Sequence, residues 1–178
     1  MQYNLTDIFD NPGKTVTEEL ELELDAILMY GEEIEIQNPS MVKMTATGIE
    51  AGKANVQCEF GCQVTLNCDR CLKPVMQDIK VNAEVVVFSP EIAEKYADNT
   101  EESDSASGSE FMDGYKIDTD ALVLSEILLV WPSKILCKED CKGICSVCGA
   151  DLNKGDCGCD RFVPNAAFAG LKELLNMQ

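Results

Sequence analysis

Ten cysteines and no histidine bound the chemistry open to this 178-residue chain. Without imidazole there is no Ser–His or Cys–His nucleophilic pair, and a metal ion can be held only by thiolates or carboxylates. The cysteines are not equivalent. In Cys145-Ser-Val-Cys148-Gly149 two thiols stand three positions apart, so both sulfurs can turn toward one ion. The glycine can take the positive φ of a knuckle turn, which frees backbone N–H groups to face the sulfurs. A turn-rich stretch, Ala-Asp-Leu-Asn-Lys-Gly-Asp, then leads to Cys157-Gly-Cys159. These four thiolates can close on one tetrahedral zinc.

Four more cysteines form two distant pairs, Cys68-x-x-Cys71 and Cys137-Lys-Glu-Asp-Cys141. If the second pair lies on a helical turn its thiols share a face. We expect the two pairs to build a second four-thiolate site, a clip closing a long loop. A different division stays open, with Cys137 and Cys141 joining Cys145 and Cys148, and Cys157 and Cys159 meeting Cys68 and Cys71. The expected cofactor is one or two structural zinc ions. A four-thiolate zinc keeps a net charge of about −2. Lys142, Lys154 and Arg161 are placed to offset the first site's charge, and Arg70 and Lys73 the second's. Cys58 and Cys62 are different: four residues apart on a strand they stand about 13 Å from each other. One zinc cannot bridge that, and they read as small core residues.

A catalytic zinc keeps a position open for water, usually with three protein ligands. Thiols in fours with no histidine base point instead to closed structural sites and a non-enzymatic role. Two enzymatic readings compete. One is thiol–disulfide exchange at Cys68 and Cys71, with Arg70 lowering a thiol pKa, although no βαβ pattern precedes it. The other is a metal-dependent hydrolase or nuclease using Asp69, Asp118, Asp120 and Glu126, which show no paired-metal spacing.

The elements that must position the thiols read as follows. Glu18 to Leu24 alternates leucine with glutamate, and Glu32 to Ile36 and Val42 to Ile49 are further strands. Val56, Cys58, Phe60, Cys62, Val64 and Leu66 alternate with small or polar residues, and Val75 to Phe88 returns as a partner strand. Residues 118–131 suit a helix capped by Asp118 or Thr119, with Leu124, Ile127, Leu128 and Trp131 on one face and Pro132 as its stop. Pro164 opens a short closing helix with Phe168, Leu171 and Leu175 on one side. The expected class is α+β: an antiparallel sheet or small open barrel over residues 1–90, an acidic mobile loop over 91–117, and a helix, zinc-binding cysteine segment and closing helix over 118–178, packed on the β region as one domain.

Net charge is −18, unevenly spread. Residues 1–130 hold 26 acidic and 8 basic side chains; residues 131–178 hold 6 of each. So anionic a body disfavours broad nucleic-acid binding and fits a basic protein partner, or simply solubility. No run of eighteen apolar residues offers a membrane span. Met1-Gln-Tyr-Asn-Leu-Thr-Asp has neither the basic nor the apolar region of a signal peptide, so a cytoplasmic location is expected.

Four strings carry a family likeness. Cys68-Asp-Arg-Cys71-Leu-Lys-Pro74 resembles the central signature of the YceD family. Glu126-Ile-Leu-Leu-Val-Trp-Pro132 is similar to its helix ending in proline, Leu136 to Asn153 to its cysteine-rich tail, and Pro164 to Leu175 to its closing helix. Ser146 stands where family members often carry proline. The resemblance implies an accessory factor in bacterial large-subunit biogenesis, needed for accumulation or maturation of 23S ribosomal RNA. It implies a partner that is a ribosomal protein, an assembly factor or pre-ribosomal RNA, with no membrane and no small-molecule substrate. It supplies no biochemical step.

Overall fold

The computed structural model describes residues 1–29, 31–97 and 108–160. The chain divides into two compact units. The first comprises Met1–Leu66 and Met76–Ser133, the second Asn67–Val75 and Lys134–Gln178. Boundaries drawn at residues 90 and 118 do not coincide with this division, because residues 67–75 group with the tail.

The first unit is built on long alternating strands. β5 (Val42–Glu50), β6 (Lys53–Asn67) and β7 (Pro74–Phe88) follow one another in the chain. On β6, Ala54, Val56, Cys58, Phe60, Cys62, Val64 and Leu66 are buried, while Gln57, Glu59 and Thr65 are exposed. On β7 the buried row is Ile79, Val81, Ala83, Val85 and Val87. A period of two puts each row on one face, so pairing the strands collects the apolar side chains on one side of the sheet.

β2 (Thr15–Leu20), β3 (Ala26–Met29) and β4 (Glu32–Gln37) complete a six-stranded sheet ordered β2-β5-β6-β4-β3, with β7 also pairing with β6. β6 is long enough to carry β5 along Lys53–Glu59 and β4 at Gln63–Val64. The result is a curled antiparallel half-barrel, and the α+β class holds. Paired hydroxyls stitch β2 to β5, at 3.0 Å for Thr15–Thr47 and 3.1 Å for Thr17–Thr45.

A second, three-stranded sheet has the order β1-β9-β8, from Gln2–Asn4, Lys116–Asp118 and Met112–Asp113. The short helix α1 (Thr6–Phe9) buries Ile8 and Phe9. Gly48 of β5 lies against the α1 turn: a Cβ there would stand 2.7 Å from the Ile8 carbonyl oxygen and 2.8 Å from that of Asn11. Only hydrogen fits in that gap.

Several expectations need correction. The ladder in Glu18 to Leu24 stops at Leu20, because β5 offers partners only from Val42 to Thr47. The stretch 91–117, read as a loop, contains α2 (Pro90–Ala97), a 3-10 turn at Ser109–Phe111, β8 and the start of β9. Residues 98–107 and the closing helix expected at Pro164 to Leu175 lie outside the described residues. α3 (Thr119–Leu129) is capped by Asp118, whose carboxylate accepts the Ala121 N–H at 3.1 Å. It buries Leu122, Val123 and Ile127, whereas Leu124 and Trp131 are half-buried and Leu128 is exposed. The segment is apolar nearly all round, so period alone could not choose its inner face. Among the described residues no helix is long and apolar enough to cross a membrane.

The Gly48 contact yields a direct test. Gly48→Ala drives a methyl group into two backbone carbonyls that cannot swing aside. It should destabilise the first unit by about 1–3 kcal/mol, the range for overpacking. Urea denaturation followed by tryptophan fluorescence or circular dichroism reads the shift.

Candidate metal centres

In the second unit the sulfur atoms come together in two groups of four. Cys68, Cys71, Cys137 and Cys141 form one, and Cys145, Cys148, Cys157 and Cys159 the other. Within each group the sulfurs all lie within 4.8 Å of one another. Of the two divisions open in the sequence, the structure adopts the one that joins the hairpin pair to Cys137 and Cys141. Cys58 and Cys62 sit apart, in the buried row of β6 in the first unit.

The first group is assembled from the turn between β6 and β7 and from the segment after α3. Two reciprocal hydrogen bonds align these segments: the Asp69 N–H donates to the Ile135 carbonyl at 2.8 Å, and the Ile135 N–H to the Asp69 carboxylate at 2.7 Å. The Arg70 guanidinium donates to the Cys141 carbonyl at 2.6 Å, and the Ile144 N–H to the Arg70 carbonyl at 3.1 Å. Gly143, at φ 77°, permits this approach, since a Cβ there would meet the Arg70 carbonyl oxygen at 2.8 Å. Sulfur separations are 3.8 Å for Cys68–Cys141 and 3.5 Å for Cys71–Cys137. A tetrahedron with Zn–S bonds of about 2.3 Å has edges of about 3.8 Å.

The second group rests on a knuckle. The Gly149 N–H donates to the Cys145 carbonyl, and the Cys145 N–H to the Ala150 carbonyl, both at 2.8 Å. Gly149 at φ 73° makes the turn. Beyond it, Asp151 accepts the Lys73 ammonium at 2.6 Å, the Asn153 N–H at 3.0 Å and the Asn153 amide at 2.9 Å. Asn153 in turn accepts the Lys142 N–H at 2.9 Å and donates to the Cys141 sulfur at 3.5 Å. The Asp151 and Asn153 links were missed in the sequence, although Asp-x-Asn is an Asx-turn signal.

The thiols differ in proton affinity. Burial raises Cys68, but N–H donors from the Arg70, Cys137 and Cys71 backbone outweigh it and bring the thiol to about 6. The N–H groups of Cys148 and Val147 hold Cys145 at about 6 as well. Sharing a proton with Cys71 raises Cys137 to about 12, and sharing with Cys148 raises Cys159 to about 12. Four adjacent thiols cannot all ionise by themselves, because like charges crowd; a divalent cation removes that obstacle. The donor set therefore fits a soft-ligand divalent ion such as zinc, held by four sulfurs with no position left open.

Burial supports the same fit. Among the described residues of the second unit, the buried side chains are Cys68, Cys71, Cys141 and Cys145. Val75 and Leu136 pack beside the first group only in part. Among the described residues the buried positions are thus held by cysteine, and metal ligation is a usual source of folding free energy for small units.

The carboxylates considered for catalysis are placed otherwise. Asp69 pairs with the Ile135 backbone, Asp118 caps α3 and Asp120 accepts the Met1 amino group. Among the described residues the two cysteine groups are the ones able to hold an ion, and neither includes Asp69, Asp118, Asp120 or Glu126.

In comparison with known families, the model of the family described as "Large ribosomal RNA subunit accumulation protein YceD" aligns with residues 56–175. That span is well over half of the chain. The chain belongs to the YceD family. The matched residues hold all eight cysteines of the two groups, so both candidate centres lie inside the YceD region. No curated protein and no solved structure matches.

Two outcomes check the centres. Protein purified without added metal should contain about two zinc per chain by elemental analysis. Cys68→Ser with Cys71→Ser should lower that to about one, and so should Cys157→Ser with Cys159→Ser. The Asp151 carboxyl, held below its usual range by the Lys73 ammonium, makes a pH-dependent contribution. Its folded pKa is depressed, so the stability it lends is present above the ordinary carboxylate pKa and is lost as pH falls through the depressed value. Asp151→Asn should therefore lower thermal stability at neutral pH, with the difference from the parent vanishing in strong acid.

Proposed function

We propose that the chain is a non-enzymatic, zinc-stabilised binding protein that supports accumulation of large-subunit ribosomal RNA, 23S RNA in bacteria, and works in the cytoplasm. The family match over residues 56–175 carries this reading. The family is described by RNA accumulation and by no reaction. The geometry agrees with a binding role: two sets of four sulfurs leave an ion no open position for water or substrate. Both zinc centres would act by holding the second unit in one shape. The partner in this reading is a ribosomal protein, an assembly factor or pre-ribosomal RNA.

A second reading is thiol–disulfide exchange at Cys68 and Cys71, favoured by the Cys68 thiol lowered to about 6. Against it, Cys68 is 0% exposed and its sulfur lies 3.8 Å from that of Cys141. An attacking thiolate needs access that this site does not give.

Deletion in the parent bacterium should lower the ratio of 23S to 16S RNA and the yield of large subunits in sucrose gradients. Re-expression of the wild-type chain should restore both, and re-expression of a Cys68→Ser, Cys71→Ser chain should not. A clean deletion with unchanged 23S RNA would sink the ribosomal role. Reduction of insulin disulfides by the purified zinc-loaded chain would favour the exchange reading instead.

A further inference from the structure

The charge of the chain is partitioned between its units. The first holds 25 acidic and 6 basic side chains, net −19; the second holds 7 and 8, net +1. Within the second unit, residues from both of its chain segments line a cleft of about 680 Å³. Its walls include Arg70, Lys142, Lys154, Leu152, Asn153 and Asp156. That volume lies within the range of ordinary ligand sites.

Three cations face this cleft, all exposed to solvent. They are not committed to acidic side chains in the way their neighbours are. Lys73 pairs with Asp151 at 2.6 Å and Lys138 with Asp140 at 3.6 Å. Among the described residues, neither Lys142 nor Lys154 has an acidic partner. Arg70 donates to the Cys141 carbonyl, which anchors its guanidinium and leaves further N–H groups directed elsewhere. Asn153 is fully occupied by Lys142, Asp151 and Cys141, so it sets the wall and does not compete for a ligand. Half-buried Leu152 adds an apolar surface.

A fixed guanidinium fork beside two mobile ammonium groups is a set suited to phosphate oxygens: the fork binds in a bidentate way, and the lysines act as point charges. We propose that this cleft binds the phosphodiester backbone of single-stranded RNA, with Arg70, Lys142 and Lys154 as the phosphate contacts and Leu152 against the sugar or base edge. This rests on the ribosomal reading above and names the partner class it leaves open.

The competing explanation is that these cations only balance the thiolate charge of the nearby sulfur group. The two accounts differ in what a lysine does for metal and for RNA. The experiment uses the full zinc-loaded chain and a fluorescein-labelled single-stranded RNA of mixed sequence, read by anisotropy over a salt series. With three phosphates neutralised on a single strand, log affinity against log salt should slope by about −2, roughly a 20-fold loss between 50 and 200 mM salt. Lys142→Ala with Lys154→Ala should weaken binding roughly tenfold and flatten the slope to about −0.7, with zinc content and circular dichroism unchanged. Lys142→Arg with Lys154→Arg, which keeps both charges, should bind like the parent.

Three results would overturn the proposal: no RNA binding by the parent chain, equal competition by polyglutamate, or loss of zinc from the alanine variant together with RNA binding. Failure here with a persisting 23S defect in the deletion strain would remove the cleft and leave the ribosomal role standing.

Discussion

Crowded thiols that cannot all ionise without a cation are the constraint on which the second unit depends. Its buried side chains, among the described residues, are Cys68, Cys71, Cys141 and Cys145, where an ordinary domain would bury leucine and isoleucine. The Asp69–Ile135 pair and the knuckle bonds satisfy backbone groups, but each such bond adds only about 1 kcal/mol net. Ordering the backbone costs about 1–2 kcal/mol for every residue. Hydrogen bonds alone cannot offset that, and the described residues of this unit bury little apolar surface besides the cysteines. Ligation by sulfurs brought from positions 66 and 73 residues apart can, because it both closes the long loop and supplies binding free energy that exists only in the folded state.

The first unit obeys a different rule. Its strands β6 and β7 each run fifteen residues with one buried row, enough to form a core from apolar side chains. Cysteine appears there too, in the opposite role. Burial is the main cause that pushes the Cys58 thiol up to about 11, so it stays protonated and packs as a small apolar group. Cys68 is just as buried, yet backbone N–H groups bring it to about 6. Cys68 and Cys145 differ from Cys58 in the backbone N–H donors that face their sulfurs.

Much of this was legible in the sequence because it depends on local spacing. The alternation of Val56 to Leu66 specifies a half-buried strand whatever its partners. The reach of Zn–S bonds ruled out Cys58 with Cys62. Which pairs come together was not legible, since two divisions satisfied the same spacing and only the folded path of residues 67–75 chooses between them. The inner face of α3 was hidden by a segment apolar on every side. The β1–β9 pairing was hidden too, because three-residue strands carry almost no period and Tyr3 finds Ile117 across 114 positions. Lys73 and Asp151 illustrate a third limit: a salt bridge between distant segments leaves no trace in either segment alone.

Charge balance at the sulfur groups bears on what the surface can do. Two four-thiolate zinc ions would add about −2 each to a unit that is otherwise near neutral. Were that charge left bare, the exposed cations would be drawn inward to neutralise it. It is not left bare. Cys68 receives backbone N–H groups from Arg70, Cys71 and Cys137, and Cys145 from Val147 and Cys148. Cys141 receives the Gly143 N–H and the Asn153 amide. Dipoles at hydrogen-bond range take up thiolate charge more effectively than ammonium groups on flexible stems in water, where Coulomb terms at 4 Å fall to about 1 kcal/mol. The more of the neutralising these backbone groups do, the less of it falls to Lys142 and Lys154, whose side chains are exposed at the surface.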